Sequence, residues 1–404
     1  MKLRALKNLA VHRSVFLLLI LASRIAQAEP FVPKDGNQVL EKLRATAFDP
    51  TEHEFRQLRA RLTANPTNLL LACQIAQRYI ERSRSEADPR YLGRAQAALA
   101  PWWEIPTPPV EVLVLRATLK QSQHDFTNAL ADLDLAIHLA PHNAQVYLTR
   151  ATILTVLGDF AGARRACLPL AQLAPGLIAL TAAANVASLN GEAESSCALL
   201  RRTLDGNASA PDDEKNWALT ILAEAEARLG QMTEAEAHFK KVLATGKRDP
   251  YLLGAYADFL LDQGRAAEAV ELLKNENRAD ALLLRLALAE SVIRPRPSTC
   301  DDAVSVLKAR FEAGHLRGDF VHQREEARFQ LQLLGQPQEA LHLAQANWQV
   351  QHEPADVRIL LESAVAAGDF AAGQPAVDFM QTNRLQDLQL AKLVEQINSK
   401  LGTK

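Results

Sequence analysis

A spacing of 34 residues recurs along this sequence and constrains its fold more than any other feature. Between residues 110 and 177, many residues reappear with the same identity 34 positions later. These pairs include Arg116/Arg150, Ala117/Ala151, Thr118/Thr152, Asp125/Asp159, Phe126/Phe160, Ala129/Ala163 and Pro141/Pro175. Further along the chain, other pairs keep the same spacing, among them Ala223/Ala257, Gly230/Gly264 and Ala235/Ala269. The sequence therefore predicts tandem copies of one structural unit.

Each unit has the pattern of two helices joined by a turn. Residues 112–122 carry apolar side chains at helical spacing, His124 and Asp125 suit a turn, and residues 127–139 resume the helical pattern. Pro141 follows, and proline is favoured where a new helix begins. The period of 34 thus predicts repeated helix–turn–helix pairs.

Small residues occupy the positions where the two helices of a pair would cross. Ala117 and Ala129 lie at these positions in one unit, and alanine allows two helix axes to approach closely. Phe126, Phe160 and Phe239 would fill the space beside the crossings. A single pair leaves an apolar face exposed, so we expect the units to stack side by side.

These residues together resemble the tetratricopeptide repeat family. That family has small residues at repeat positions 8 and 20, Gly or Asp near 15 and 16, an aromatic residue near 17 and proline near 32. The good matches are residues 110–143, 144–177, 216–249 and 250–283, with a degenerate copy at 178–213 and a weaker pair at about 321–384. The resemblance implies an all-α fold, a right-handed α-solenoid of helix–turn–helix repeats.

The sequence divides into four predicted segments. They are a signal peptide at 1–28, N-terminal helices and a degenerate repeat with a Pro/Trp connector at 29–109, the main array at 110–293, and C-terminal degenerate repeats with a final helix at 294–404. In the second segment we expect one helix from about Asn37 and another over residues 51–62. Residues 101–109 predict a stiff connector, and residues 294–299 a second interruption, because both stretches are rich in proline. The final helix is expected over residues 385–401.

The first 28 residues have the three-part pattern of a secretory signal peptide. A basic stretch precedes the apolar run at 15–22, and Ala26-Gln27-Ala28 is a small-x-small cleavage site. The apolar run of eight residues is too short to cross a bilayer, which requires roughly 20 residues in a helix. We therefore expect export with cleavage after Ala28, and a bacterial periplasm is the simplest compartment.

Charge and hydropathy exclude several classes of protein. The full chain has 45 basic and 47 acidic residues, and the mature chain would have 40 and 47. A protein held to nucleic acid by phosphate contacts would have a large basic excess, so we expect no nucleic-acid partner. After the signal peptide, no stretch approaches 18 apolar residues, so we expect no membrane span in the mature chain.

The four cysteines do not have the spacing of a metal site. Cys73, Cys167, Cys197 and Cys300 form no CxxC pair. Cys167 and Cys197 fall in apolar helical patterns, which favours unpaired thiols in the core. A Cys167–Cys197 disulfide is the alternative, since an exported protein can form one.

No motif in the sequence predicts catalysis, a cofactor or a metal. Phosphate loops, HExxH and GxSxG are absent. The alternative is a cell-wall-acting enzyme of the helical-superhelix type, with its site built on repeat faces. Such enzymes use a Glu-Ser pair, and this dipeptide occurs at Glu194-Ser195, Glu290-Ser291 and Glu362-Ser363. No compact lysozyme-like segment accompanies these pairs, so we predict a protein that is not an enzyme.

The resemblance implies that the first helix of each unit lines an inner face at repeat positions 2, 5, 9 and 12. In this chain those positions are Glu111, Val114, Thr118, Gln121, Gln145, Leu148, Thr152, Thr155, Trp217, Thr220, Glu224, Tyr251, Asp258 and Leu261. A neutral-to-acidic groove of this kind would suit an extended peptide with basic or apolar side chains. An equally open interpretation is that these side chains only solvate the groove.

Two further features have both a binding and a structural interpretation. Trp102 and Trp103 would be an exposed aromatic anchor for a partner, or would close the end of the array at a repeat junction. Arg116 and Arg150 replace an apolar residue of the repeat, and we expect each to pair with an acid such as Asp132 or Asp134. The function that the whole sequence favours is a non-catalytic scaffold for a protein or peptide partner, such as an adaptor in cell-envelope assembly or export.

Overall fold

The N-terminal helices precede the regular repeats. The computed structural model describes residues 50–318 and 321–402, so the predicted signal peptide and the helix expected from Asn37 lie outside the described residues. The first described helices are α1 (Pro50–Ala64), α2 (Leu69–Glu86), α3 (Arg90–Ala98) and the single turn α4 (Ala100–Trp103). The first residues of the predicted connector at 101–109 thus form a helical turn, and the connector itself stays a prediction. Pro101 lies in the first turn of α4, where a missing backbone N–H costs nothing.

The main array consists of antiparallel helix pairs. Its helices are α5 (Val110–Ser122), α6 (Phe126–Leu139), α7 (Ala144–Val156), α8 (Phe160–Leu173), α9 (Leu177–Ser188), α10 (Ala193–Gly206), α11 (Asp212–Arg228), α12 (Met232–Leu243), α13 (Pro250–Asp262) and α14 (Ala266–Leu273). The degenerate copy at 178–213 thus forms a complete pair, α9 and α10. Asp125 and Asp159 cap the second helices, since each carboxylate accepts a hydrogen bond from a backbone N–H three residues on.

One more first helix, α15 (Asp280–Val292), precedes the interruption at 294–299, and helices continue beyond it. They are α16 (Ser298–Leu316), α17 (Gln323–Gln332), α18 (Pro337–Trp348), α19 (Pro354–Ala367), a 3₁₀ turn (Phe370–Gly373), α20 (Gln374–Asn383) and α21 (Leu388–Leu401). No strand occurs in the described ranges, and the predicted all-α repeat solenoid is confirmed. Among these helices, none is long and apolar enough to span a membrane.

Alanines at the crossings bring the helices of each pair together. Ala117, Ala129, Ala163, Ala235 and Ala269 are all fully buried. First helices also stack on one another along the row α5, α7, α9, α11, α13, α15, α17 and α19. Each unit therefore buries its apolar face against its neighbours, as the sequence pattern predicts.

The C-terminal helices pack against turns of the main array. Gly158, in the turn between α7 and α8, lies against the ring of Phe379 and the side chain of His352. The backbone N–H of His352 also donates a hydrogen bond to the carbonyl of Val156, at 2.8 Å. The next two turns make similar contacts, Gly191 with Arg384 and Gly230 with Leu388. This part of the array is therefore covered by the chain's own C-terminal repeats.

A shared core supports the same contacts. One cluster of buried apolar side chains includes residues between 151 and 189 and residues between 327 and 397. Residues beyond 50 form one compact unit by their internal contacts. The predicted segment boundary at 294 stays a prediction, but helices on both sides of it contribute to one core.

The cysteines of the structure are free thiols. Cys167, Cys197 and Cys300 are buried, and Cys73 is half-buried. Burial raises the pKa of the Cys73 and Cys197 thiols to about 11, so neither ionises at neutral pH. The favoured interpretation of unpaired core thiols agrees with this arrangement, whereas the Cys167–Cys197 disulfide is not formed.

Candidate functional site

The inner-face residues that the sequence predicts divide into an exposed group and a covered group. We use the term inner face for repeat positions 2, 5, 9 and 12 of the first helices α5, α7, α11 and α13. Glu111, Gln145, Thr152 and Tyr251 are exposed, and three of them lie in the first turn of their helix. The covered or partly covered residues are Val114, Thr118, Gln121, Leu148, Thr155, Trp217, Thr220, Glu224, Asp258 and Leu261. The accessible part of this face thus consists of first turns and of Thr152 on α7.

Asp258 is already neutralised within the chain. Its carboxylate accepts hydrogen bonds from Arg285 of α15, at 2.6 and 2.9 Å, and from Arg328 of α17, at 2.6 Å. Burial alone would raise the pKa of Asp258, but the two guanidinium groups hold it well below its usual range. This acid therefore links three successive first helices and is not a free negative charge.

Glu224 has a different environment, because its partner is a tyrosine. The hydroxyl of Tyr251 donates a hydrogen bond to the Glu224 carboxylate at 2.7 Å, which joins α11 to α13. Burial raises the pKa of Glu224 to about 7, and the nearby carboxylates of Glu353 and Asp258 act in the same direction. The Tyr251 side chain remains 57% exposed. An accessible aromatic ring therefore lies beside a carboxyl group that titrates near neutral pH.

Arginines of the C-terminal helices form the rest of the charged network. Arg324 of α17 donates to Glu353 at 2.9 Å and contacts the fully buried Asp356 at 3.3 Å. Burial raises the pKa of Asp356, which also accepts a hydrogen bond from the amide of Asn347 at 2.8 Å. Arg358 of α19 pairs with Asp262 at the end of α13, at 2.8 Å. The Arg358–Asp262 pair joins α19 to α13 of the main array, whereas the Arg324 pairs join α17 to the start of α19.

The tryptophans and the repeat arginines belong to the packing between helices. Trp102 and Trp103 are half-buried against the N-terminal core cluster, and the carbonyl of Trp103 accepts a hydrogen bond from Arg116 at 2.5 Å. Arg116 also makes a bidentate pair with Asp132, at 2.7 and 2.9 Å. Arg150 pairs with Asp134. The expected pairing of both arginines is thus present, and the structural role of the tryptophans is favoured.

Comparison with known proteins agrees with the repeat geometry. Residues 226–281, which include α12, α13 and α14, match the family model described as tetratricopeptide repeat. The protein carries tetratricopeptide repeats. Proteins with this fold generally serve as scaffolds for protein–protein interactions.

Several solved structures resemble this tetratricopeptide-repeat chain. A tetratricopeptide repeat protein from Parabacteroides merdae is 16% identical over 72% of this chain and 99% of its own, with a TM-score of 0.37. The Cut9–Hcn1 hetero-tetramer of the APC/C is 11% identical over 82% and 63%, with a TM-score of 0.49. PilW, a type IV pilus biogenesis factor, is 17% identical over 62% and 98%, with a TM-score of 0.35. No curated protein matches the sequence.

The tetratricopeptide-repeat structure does not assemble the Glu-Ser pairs into a shared site. Glu194 and Ser195 are both exposed on α10, whereas Glu290 is buried and accepts a hydrogen bond from Thr299 at 2.8 Å. Glu362 is paired with Arg358 at 2.7 Å. Within the described ranges, no group of three or more His, Cys, Asp or Glu side chains is arranged to hold a metal ion.

Sequence reasoning placed Glu224, Tyr251 and Asp258 on one face but missed the arginines that meet them. Arg328 lies 70 residues from Asp258, and Arg358 lies 96 residues from Asp262. No local spacing can indicate contacts at such separations. The arginine content of the C-terminal repeats is no higher than that of the rest of the chain, so composition gave no signal either.

Proposed function

We propose that this tetratricopeptide-repeat protein is a non-catalytic scaffold that is exported to the periplasm and binds a protein or peptide on its inner face. One observation carries the proposal: Glu111, Gln145 and Tyr251 stay exposed in the first turns of α5, α7 and α13. In the later turns of the same face, Thr118 and Thr155 are buried and Asp258 is paired, whereas Thr152 stays exposed. A partner would therefore contact the first turns and lie across several repeats.

Rigidity supports this assignment. The first helices stack on one another, and the later turns of α13 are tied to the C-terminal repeats by the ion pairs Arg328–Asp258 and Arg358–Asp262. A preformed surface loses little conformational entropy on binding, so more of the contact energy remains as affinity. Binding would order the partner while the scaffold changes little.

The export proposal rests on the sequence pattern of residues 1–28. An exported scaffold would meet its partners in the cell envelope. We therefore propose a role as an adaptor in cell-envelope assembly or export.

Position-specific photo-cross-linking in intact cells tests the proposal. A photoreactive residue at Glu111 or Gln145, on first helices, is expected to give covalent adducts with the partner in the envelope fraction. The matched controls are Thr127 and Ala161, which are exposed in the first turns of the second helices α6 and α8 of the same two repeats. These control positions should give no such adducts, because they point away from the proposed surface.

Equal adduct yields at all four positions would contradict a binding surface on the inner face. Adducts from the second helices alone would place the partner on the other side of the array. Either result would remove the proposed function.

A further inference from the structure

Nearly every acid around the covered half of the inner face has an arginine partner. Arg285 and Arg328 pair with Asp258. Arg324 pairs with its neighbour on α17, Glu325, and with two carboxylates at the start of α19. The acids that are paired with arginine in this way are Asp258, Asp262, Glu325, Glu353, Asp356 and Glu362. The chain thus neutralises its own acids where helices meet.

Glu224 is the exception among these half-buried acids. In the described part of the chain, no lysine or arginine lies within ion-pair distance of its carboxylate, and its hydrogen bond comes from the neutral hydroxyl of Tyr251. Arg228 lies one turn further along α11, but its guanidinium group donates to the hydroxyl of Ser188 at 2.9 Å. Glu224 is therefore partly buried without a cation in direct contact, and the charge of Arg228 acts on it only from a distance.

A hydrogen bond that joins α11 to α13 does not require a carboxylate at position 224. A glutamine at position 224 would also accept a hydrogen bond from Tyr251, without the cost of burying a charge. A hydrogen bond between the two helices therefore does not explain why position 224 has a carboxylate. A cationic group from outside the chain would supply the missing counter-charge.

Tyr251 provides the second part of a cation site. Its side chain is 57% exposed in the first turn of α13, within the accessible half of the inner face. The face of an aromatic ring attracts ammonium and guanidinium groups, and the apolar stem of a long side chain packs against it. The ring and the carboxylate are held together by the hydrogen bond of 2.7 Å.

We propose that Glu224 and Tyr251 form an anchor for a lysine or arginine side chain of the partner. The incoming cation pairs with the Glu224 carboxylate, while its aliphatic stem lies against the Tyr251 ring. This inference rests on the proposed function and deepens it, since it names the chemistry that the inner face recognises.

The charged groups around the anchor predict a dependence on pH. Glu224 is faced by Arg228 on its own helix, by Tyr251 and Asp258 on α13, and by Glu353 just before α19. Because the pKa of Glu224 is raised to about 7, the carboxyl is mostly protonated at pH 6 and mostly ionised at pH 8. Only the ionised form pairs with a cation, so binding should strengthen as the pH rises through 7.

Selection from a random heptapeptide library displayed on phage, at pH 8 against the full chain, tests the anchor. The enriched peptides are expected to share a lysine or arginine at one position. The affinity of one enriched peptide should fall by about tenfold or more in Glu224→Gln, since a charge-assisted pair is lost. The affinity for the unaltered protein should fall similarly at pH 6.

Matched variants separate recognition from folding. Glu224→Gln keeps the acceptor for Tyr251, and Glu234→Gln changes an exposed glutamate on the second helix α12, so it should leave the affinity unchanged. Tyr251→Phe removes the hydroxyl but keeps the ring and should bind almost as well, whereas Tyr251→Ala should lose affinity.

Enriched peptides without a shared cation, or an unchanged affinity in Glu224→Gln, would overturn the anchor. If no peptide is enriched but photo-adducts still form at Gln145, the anchor is wrong and the scaffold remains. If those adducts are also missing, the proposed function itself is wrong.

Discussion

Replacing Arg116 by alanine is expected to lower the free energy of unfolding by about 3 kcal/mol. Arg116 and Asp132 are only 7% and 6% exposed, and their bidentate pair is shielded from water. Alanine would leave a buried carboxylate with one remaining cation, Lys120 at 2.8 Å, and would also remove the donor to the carbonyl of Trp103. Because Lys120 remains, we expect the lower end of the range for a broken buried pair.

The repeat supplies a matched control for this substitution. Arg150 occupies the same repeat position 34 residues later, but its partner Asp134 has a side chain that is 63% exposed. An exposed pair contributes about 0.2–1 kcal/mol, so Arg150→Ala should be much milder. Urea denaturation of both variants measures the difference. Equal losses in the free energy of unfolding would contradict this prediction, because they would show that water reaches the Arg116–Asp132 pair.

Replacing Gly158 by alanine is expected to destabilise the protein by about 2–5 kcal/mol. Gly158 has φ of +74°, where a side chain costs roughly 1–2 kcal/mol. A Cβ atom there would also lie 2.7 Å from Cε2 of Phe379 and 3.1 Å from Cβ of His352. Overpacking of this kind adds about 1–3 kcal/mol.

Gly264 is a control that separates the cost of the contact with Phe379 and His352 from the cost of the backbone conformation. It has the same repeat position and a similar φ of +69°, but a Cβ atom there would have no neighbour within 4 Å. Gly264→Ala should therefore show the backbone cost alone. If denaturation gave the same loss for both variants, the C-terminal helices would not pack on the turn at Gly158.

The sequence was sufficient to predict the helix pairs and their packing within one or two repeats. The 34-residue period predicted the helix pairs, and the alanines predicted the crossings, because both depend on residues within one or two repeats. The arginine pairs were predictable for the same reason, since Arg116 and Asp132 are only 16 residues apart. No repeated pattern of this kind marks the ends of the array. There, Ala100 starts a helical turn, and the final helix begins at Leu388 instead of the expected Leu385.

The division of the inner face could not be predicted from the sequence. Glu224 and Tyr251 were placed on one face by repeat position, yet their hydrogen bond depends on the exact offset between α11 and α13. The burial of Thr155 depends on how far the array curves before α18 and α19 return beside α7. That curvature is the sum of small rotations between neighbouring repeats, taken over six repeats. No single sequence motif encodes this sum.

Thiol labelling on α7 tests the central claim most directly, which is that the chain's own C-terminal repeats cover one half of the inner face. Thr152 and Thr155 both occupy inner-face positions, but Thr152 is exposed, whereas Thr155 is 8% exposed beside the Val156–His352 contact. In a Cys73→Ser background, Thr152→Cys should react with a maleimide many times faster than Thr155→Cys. Equal rates at the two positions would contradict the account, since the inner face would then be open along its whole length.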